Sequence, residues 1–281
     1  MPESTPLLFL IHIAGAAALL IWAVRLVRTG VERGWSVQLR RWLRRGGENR
    51  LIAAAAGTGA AVVLQSSTAV AILTSNFVAA GTLAGMAGLA VLLGADLGSA
   101  IVAQILLTRA DWLVPVLMVA GVAIFQKSTT REWRMAGRVL IGLALIFVAL
   151  TMIREATEPL RQAKGLAAAM AYLGGDPITA FLIGALFAWA VHSSVAAVLL
   201  FVTLAQTTML PVPAGIAMVL GANFGGAMIA FILTLSSDLQ ARRVIVANLL
   251  VRGGGALIAL IVLAMFHPPL DIWGQLRRGR W

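Results

Sequence analysis

The sequence predicts an all-α polytopic membrane protein built from two inverted repeats, each with three membrane spans and one re-entrant helical hairpin. Three observations predict this fold. The 281-residue chain is 60% apolar and only 12% charged, whereas a soluble domain carries about 25% charged residues. The apolar residues lie in long uncharged blocks, two of which are interrupted midway by polar residues. Polar motifs of the first half also recur in the second half, 127 positions later.

Six apolar blocks have about the length of a membrane span, since about 20 apolar residues cross the hydrocarbon core. They are Leu7–Val27, Ala84–Leu107, Trp112–Gln126, Gly137–Ile153, Pro211–Leu235 and Val244–Phe266. The start of the chain, Met1–Pro6, lacks the basic region of a signal peptide, so we expect the first block to be retained as a span. The blocks predict a multi-pass protein of the cell membrane, which in a bacterium is the inner membrane.

Two further apolar stretches, about 51–80 and 177–206, carry a polar break near the middle. The breaks are Gln65-Ser66-Ser67-Thr68 and His192-Ser193-Ser194. We interpret each stretch as a re-entrant hairpin, because non-helical backbone at membrane depth is tolerated only where protein or a water-filled cavity surrounds it.

The net charge of +11 is explained by membrane topology. Eight arginines lie between residues 25 and 50, at the end of the first block and after it, and further basic residues lie in alternate connectors. The positive-inside rule then places these connectors in the cytoplasm and the N-terminus outside. The arginines of the tail disagree with this orientation. We expect no nucleic-acid binding, since no soluble domain remains for it, and without cysteine there is no disulfide or cysteine-ligated metal.

The internal repeat has a constant offset. Adding 127 maps Gly57 to Gly184, Ser66-Ser67 to Ser193-Ser194, and Gly94-Ala95-Asp96-Leu97-Gly98 to Gly221-Ala222-Asn223-Phe224-Gly225. This divides the chain into a first repeat (1–127), a second repeat (128–266) and a short basic tail (267–281). Three crossings per repeat would insert the second repeat upside down, and inverted repeats with broken helices are typical of secondary transporters that work by alternating access.

The polar breaks predict an anion site beside a cation site. A hairpin reversal frees backbone N–H groups at the start of its second half-helix, and these groups favour anions. Serine hydroxyls can donate to an oxyanion or present oxygen to a cation. The predicted substrate-binding residues are Gln65, Ser66, Ser67, Thr68, His192, Ser193 and Ser194. The predicted cation-binding residues are Thr74, Ser75, Asp96, Ser99 and Asn223. The flanking glycines could unwind their spans locally, although Gly94 is by default a packing glycine.

Structural interpretations of these residues stay open. Serine in a membrane helix commonly bonds to a carbonyl of its own helix, and glycine commonly serves close packing. Asp96 needs a partner in the membrane, and Arg252 in the last block is the alternative to a bound cation. His192 is either a neutral substitute for the Gln65 amide or a titratable group that makes transport pH-sensitive.

The paired motifs resemble those of the type II sodium/phosphate cotransporter family. The resemblance covers nearly the whole chain and implies inorganic phosphate as substrate, sodium as coupling ion and no other cofactor. Asp96, His192, Val195 and Gly226 depart from the family pattern, where Asn, Gln, Ser and Thr are usual, so the ion ratio stays open. Many bacterial relatives carry a C-terminal domain resembling the phosphate regulator PhoU. Since only a short tail follows the last block here, we expect such a regulator to be absent or a separate protein.

Other functions are also considered. The first alternative is a transporter of the same architecture that carries another anion, such as sulfate or a carboxylate, or that uses protons. An enzyme is not expected, because the three histidines are scattered and no HExxH or GxSxG motif is present. A channel would not need paired hairpins with ligands for an anion and a cation.

Overall fold

The computed structural model describes residues 6–44, 49–108, 112–158 and 172–266, which form helices joined by short turns and contain no strand. Long helices are expected because Ala and Leu, which have high helix propensity, dominate the sequence. The elements are α1 Pro6–Arg44, α2 Arg50–Leu64, α3 Ser67–Ala79, α4 Gly85–Leu106, α5 Leu113–Lys127, α6 Arg131–Thr157, α7 Pro177–Val191, α8 Ser194–Gln206, α9 Val212–Leu233, α10 Leu239–Asn248, a π-helical turn Leu249–Gly253 and α11 Gly254–Phe266. The predicted all-α class is confirmed for these residues.

Helix α1 corrects the predicted first span. The block Leu7–Val27 was expected to end in a basic connector, but α1 continues to Arg44, with non-helical dihedral angles only at Trp35 (φ −131°, ψ 26°). Arginine has a high helix propensity, so a run of arginines does not end a helix. At 1.5 Å per residue, α1 is about 58 Å long, nearly twice the hydrocarbon thickness. Arg25 and Arg28 therefore lie on a helix and not in a loop.

Five helices within the described ranges are long and apolar enough to cross a membrane. They are Leu10–Leu43, Gly85–Leu106, Arg131–Thr157, Val212–Leu233 and Leu239–Met265. The block Trp112–Gln126, predicted as a further span, forms α5, which has 15 residues. Its length is about 22 Å, less than the hydrocarbon core of about 30 Å. Five long apolar helices make the chain a multi-pass membrane protein, as predicted, with one long span fewer than the sequence suggested.

Two pairs of short helices are broken at the predicted polar residues. Helices α2 and α3 are separated at Gln65 and Ser66, and α7 and α8 at His192 and Ser193. We name residues 65–67 the first tip and residues 192–194 the second tip. Asn49 caps the N-terminus of α2 and Asp176 that of α7, through side-chain oxygens that accept backbone N–H groups.

Each broken pair packs against the long helix that follows it, through glycines at repeated positions. A Cβ atom on Gly57 of α2 would overlap the carbonyl of Val91 in α4, and one on Gly94 would overlap the carbonyl of Ala54. The same contacts recur 127 positions later, where Gly184 faces Met218 and Gly221 faces Phe181. Helices α4 and α9 are continuous through these glycines. Of the two interpretations, close packing therefore holds and local unwinding does not: the missing side chains allow two helices to touch.

Among the described residues, the hydrophobic core forms two clusters that both include α1. The first joins α1 and α6 to α7, α8, α9 and α11. The second joins the C-terminal part of α1 to α2, α3, α4 and α10. Helix α1 runs antiparallel to α6, since Val27 contacts Gly142 and Gly30 contacts Val139. Helix α1 thus packs on both broken pairs, which brings its middle turns to the tips.

Candidate functional site

The two tips have the same backbone conformation. Gln65 lies in the left-handed region (φ 51°, ψ 32°), as does His192 (φ 56°, ψ 33°). The next residue, Ser66 or Ser193, is extended, and its hydroxyl accepts a hydrogen bond from the backbone N–H three residues on, at 3.1 Å and 3.2 Å. Each serine is therefore the N-cap of the helix that follows. A left-handed conformation costs a residue with a Cβ about 1–2 kcal/mol, and such strain clusters at functional sites.

Both tips line one cavity, which has a volume of about 360 Å³. Its walls come from the ends of α2 and α7, from the capping serines and from the middle of α1. The lining residues are Ile21, Val24, Arg25, Arg28, Gln65, Ser66, Val191, His192 and Ser193. Helices α3 and α8 begin beside this cavity, and the first N–H groups of a helix have no partner within the helix. The positive ends of α3 and α8 therefore lie at this space beside the negative ends of α2 and α7, and the two arginines that also line it make it favour an anion.

Two arginines that the sequence analysis assigned to a connector also line this cavity. Arg25 and Arg28 are three positions apart and so lie on the same side of α1. The Nε atom of Arg28 lies 3.3 Å from Oε1 of Glu32, which leaves its terminal nitrogens for other partners. Guanidinium groups bind phosphate oxygens through paired, charge-assisted hydrogen bonds. The absence of proline between residues 25 and 44 is the signal that could have placed these arginines on a helix.

The second serine of each tip faces the guanidinium group of Arg252. Nη1 of Arg252 donates to Oγ of Ser67 at 2.7 Å and to Oδ1 of Asp96 at 2.6 Å. Nη2 donates to Oγ of Ser194 at 3.3 Å and to Oδ1 of Asn223 at 3.0 Å. The ion pair is largely buried, with side-chain exposures of 8% for Arg252 and 19% for Asp96. Asp96 therefore has the arginine partner that the sequence offered as the alternative to a bound cation.

A π-helical turn presents Arg252 to these oxygens. The turn Leu249–Gly253 lies between α10 and α11. A π turn inserts an extra residue into a helix, and such turns occur frequently at functional sites. The glycine that ends the turn, Gly253, approaches the Phe224 ring, which would lie 3.2 Å from a Cβ atom at that position. The sequence gives no periodic signal for this turn.

The remaining predicted residues neither line the cavity nor bond to Arg252. Thr68 is buried in the first turn of α3, and Ser99 donates to the backbone carbonyl of Asp96 at 2.8 Å. The hydroxyl oxygens of Thr74 and Ser75 on α3 are buried and have no hydrogen-bond partner. The same is true of Oε1 of Gln65. These unpartnered oxygens can accept a ligand, whereas four oxygens around Arg252 already have a donor and Oδ2 of Asp96 there is buried without one, among the described residues.

Comparisons with known proteins identify the family. The family model described as Na+/Pi-cotransporter matches residues 19–155 and 158–266. The chain is 40% identical over 270 residues to the Escherichia coli (strain K12) protein named "Putative inorganic phosphate export protein YjbB", covering 96% of this chain and 49% of that protein. The Salmonella typhimurium protein of the same name is 38% identical over the same shares. The chain thus spans about half the length of these curated relatives.

A more distant relative is the Bacillus subtilis (strain 168) "Uncharacterized protein YqeW", 23% identical over 198 residues, which cover 70% of this chain and 64% of that protein. No solved structure matches the chain. The family model matches nearly all of the chain, and the resemblance drawn from the paired motifs is confirmed. The enzyme alternative is rejected, because the family is described as a cotransporter and the Escherichia coli relative is named a phosphate export protein. The chain belongs to the Na+/Pi-cotransporter family.

Proposed function

We propose that this chain carries inorganic phosphate across the membrane in symport with sodium, by alternating access to the cavity between the two tips. The main support for the proposal is this cavity, which is lined by the N-cap serines of two helices and by Arg25 and Arg28. Backbone N–H groups and guanidinium groups are the donors that bind phosphate oxygens in proteins. The description of the family supports both phosphate and sodium.

Gln65 favours phosphate over sulfate. Its Oε1 atom is buried without a hydrogen-bond partner, and the residue lines the cavity. An amide oxygen only accepts hydrogen bonds. Near neutral pH, hydrogen phosphate carries a P–OH donor, whereas sulfate carries none. Sulfate would leave the Gln65 oxygen unpaired and buried, and an unpaired buried acceptor costs about 1–3 kcal/mol.

Thr74 and Ser75 are the candidate sodium ligands. Their hydroxyl oxygens are buried and unpartnered on α3, about two helical turns from the first tip. Oxygen ligands suit hard cations. A sodium ion held by this helix would add positive charge near the anion cavity and so favour phosphate binding. Asp96, Asn223 and Ser99, the other predicted cation ligands, already make hydrogen bonds within the protein.

The repeated construction supports the proposal of alternating access. The tips, their caps and the glycine contacts recur at an offset of 127. We propose that residues 1–127 and 128–266 are inverted repeats whose broken pairs are re-entrant hairpins, with the short helix α5 as the third crossing of the first repeat. Rocking of one repeat against the other around a fixed site would then expose the cavity to each side in turn. A separate PhoU-like regulator stays a prediction.

A second candidate function is phosphate export without sodium. It is favoured by the names of the Escherichia coli and Salmonella relatives, which describe phosphate export. In this function phosphate would leave the cell down its own gradient or with another ion, and sodium would not change the rate. The two functions use the same anion cavity and differ in the driving ion.

Radiolabelled phosphate uptake into proteoliposomes tests both functions. We expect uptake to rise with an inward sodium gradient and to fall to background when choline replaces sodium. Unlabelled arsenate, which keeps an acidic O–H, should compete with phosphate. Sulfate should compete more weakly by about 5-fold or more, because the unpaired oxygen costs about 1–3 kcal/mol. Uptake and efflux that ignore sodium would favour the export function, and equal competition by sulfate would contradict the role of Gln65.

A further inference from the structure

The guanidinium group of Arg252 lies between equivalent positions of the two repeats. Its Nη1 atom contacts Ser67 and Asp96, and its Nη2 atom contacts Ser194 and Asn223. Adding 127 to the first pair of positions gives the second pair. The position equivalent to Arg252 in the first repeat is Phe125. One cation therefore serves a centre to which both repeats contribute the same two positions.

The repeats differ at two positions around this centre, and both differences accommodate the guanidinium group. Asn223 in the second repeat corresponds to Asp96 in the first, whose carboxylate neutralises the charge of Arg252. Gly226 corresponds to Ser99. A Cβ atom on Gly226 would lie 3.2 Å from Nη2 of Arg252 and 3.0 Å from Cβ of Ser194. The carboxylate of Asp96 supplies the counter-charge, and the missing side chain at Gly226 leaves space for the guanidinium group.

The four acceptors around Arg252 are two hydroxyl oxygens, one carboxylate oxygen and one amide oxygen. A set of oxygens with one negative charge is the ligand set that a hard cation uses. We propose that Arg252 is a tethered cation that takes the place of a sodium ion at this centre. Because its charge is covalently attached, it cannot be released to either side of the membrane. Sodium coupled by this chain then binds elsewhere, for which Thr74 and Ser75 are the candidates.

The proposal predicts that removing Arg252 opens a sodium site. In Arg252→Ala the oxygens remain, and Asp96 is left as a buried, unpaired charge. We expect the purified variant to be destabilised in choline chloride and restored by sodium chloride at the same ionic strength. At a sodium concentration about 100 times the dissociation constant, the melting temperature should rise by roughly 5–10 °C more than in the wild type. Intrinsic tryptophan fluorescence reports the melting temperature.

Three further variants define the site. Asp96→Asn/Arg252→Ala removes both charges and should lose most of the extra sodium response. Arg252→Lys keeps a tethered cation and should respond to sodium as the wild type does. Arg243→Ala removes an exposed arginine of the adjoining helix α10 and should also match the wild type. An Arg252→Ala protein whose sodium response equals that of the wild type, or that cannot be recovered even in sodium, would overturn the proposal.

The role of Arg252 in the transport cycle rests on the proposed function. The sodium site itself does not, since the melting experiment needs no phosphate. If phosphate uptake fails but Arg252→Ala gains a sodium response, the transport assignment is wrong and the tethered cation stands. If uptake is sodium-driven and the melting temperature of Arg252→Ala gains no sodium response, the transport assignment stands and the tethered cation is wrong. Any sodium response that all variants share reports another site, such as the one proposed at Thr74 and Ser75.

Discussion

Adjacent residues of each tip have different roles. The first, Gln65 or His192, turns the chain in a left-handed conformation. The second, Ser66 or Ser193, caps the following helix at the cavity, and the third, Ser67 or Ser194, contacts Arg252. The tips are not identical, because Gln65 is 6% exposed whereas the His192 ring is exposed and stacks on Trp189. The anion cavity and the Arg252 centre thus share a backbone turn but use different side chains.

The arginines of α1 give a prediction at this scale. Arg25→Gln/Arg28→Gln should raise the phosphate KM by about 10-fold or more, because each charge-assisted hydrogen bond contributes about 1.5–3 kcal/mol. The maximal rate should change less, since the tips and the Arg252 centre are intact. Arg243→Gln removes an exposed arginine of α10 and should leave the KM unchanged. Radiolabelled uptake at varied phosphate concentration measures both constants, and an unchanged KM in the double variant would place phosphate elsewhere.

The sequence predicted the tips better than the arginines around them. Duplicated serine pairs stand out because polar residues are rare in apolar stretches, so Ser66 and Ser193 were found from the pattern alone. Arg25 and Arg28 were missed because arginine in a charged run is typical of a cytoplasmic connector. Arg25 lies inside the predicted block, and the placement of Arg28 depends on α1 continuing past Val27 in contact with α6. Tertiary contacts such as that between Gly30 and Val139 are not visible in a single sequence.

At the scale of elements, the glycines decide how closely helices approach. Gly57 and Gly94 bring α2 and α4 into backbone contact, and Gly184 and Gly221 do the same for α7 and α9. The sequence identified these glycines as a repeated motif but could not decide between unwinding and close packing. The decision depends on the facing backbone of α2 or α7. The π turn that carries Arg252 was likewise not predictable, because one inserted residue leaves no periodic pattern in an apolar segment.

Substitution of these glycines should therefore separate packing from intrinsic helix propensity. Gly221→Ala places a methyl group on the Phe181 carbonyl, so α7 and α9 must move apart, and overpacking costs about 1–3 kcal/mol or more. Gly15→Ala in α1 has nothing within 4 Å of the new Cβ and should be neutral or stabilise by about 0.5–1 kcal/mol. Melting temperatures of the two variants test this contrast. Equal melting temperatures would mean that the glycine contact does not limit the approach of these helices.

At the scale of the whole molecule, equivalent residues of the two halves take part in two different arrangements, the cavity and the centre around Arg252. The cavity takes Ser66 and Ser193 with arginines of α1, and the inner centre takes Ser67 and Ser194 with an arginine of the second repeat. The repeat itself was predictable from the constant offset in the sequence. The asymmetric additions were not, because Arg25, Arg28 and Arg252 have no repeated partner. We therefore expect function to depend on the positions at which the two repeats differ as well as on those at which they have the same residues.

Cysteine labelling tests alternating access in the intact chain, which has no native cysteine. Ser66→Cys and Ser193→Cys each place one thiol in the cavity. If the cavity opens to each side in turn, a membrane-impermeant thiol reagent should label either cysteine from both sides of the membrane, and phosphate should slow both reactions. Ala80→Cys, in the exposed turn after α3, should label at a rate that phosphate does not change. Labelling of the two tip cysteines from opposite sides only, or protection of one tip alone, would mean that the tips do not form a common site that moves between two openings.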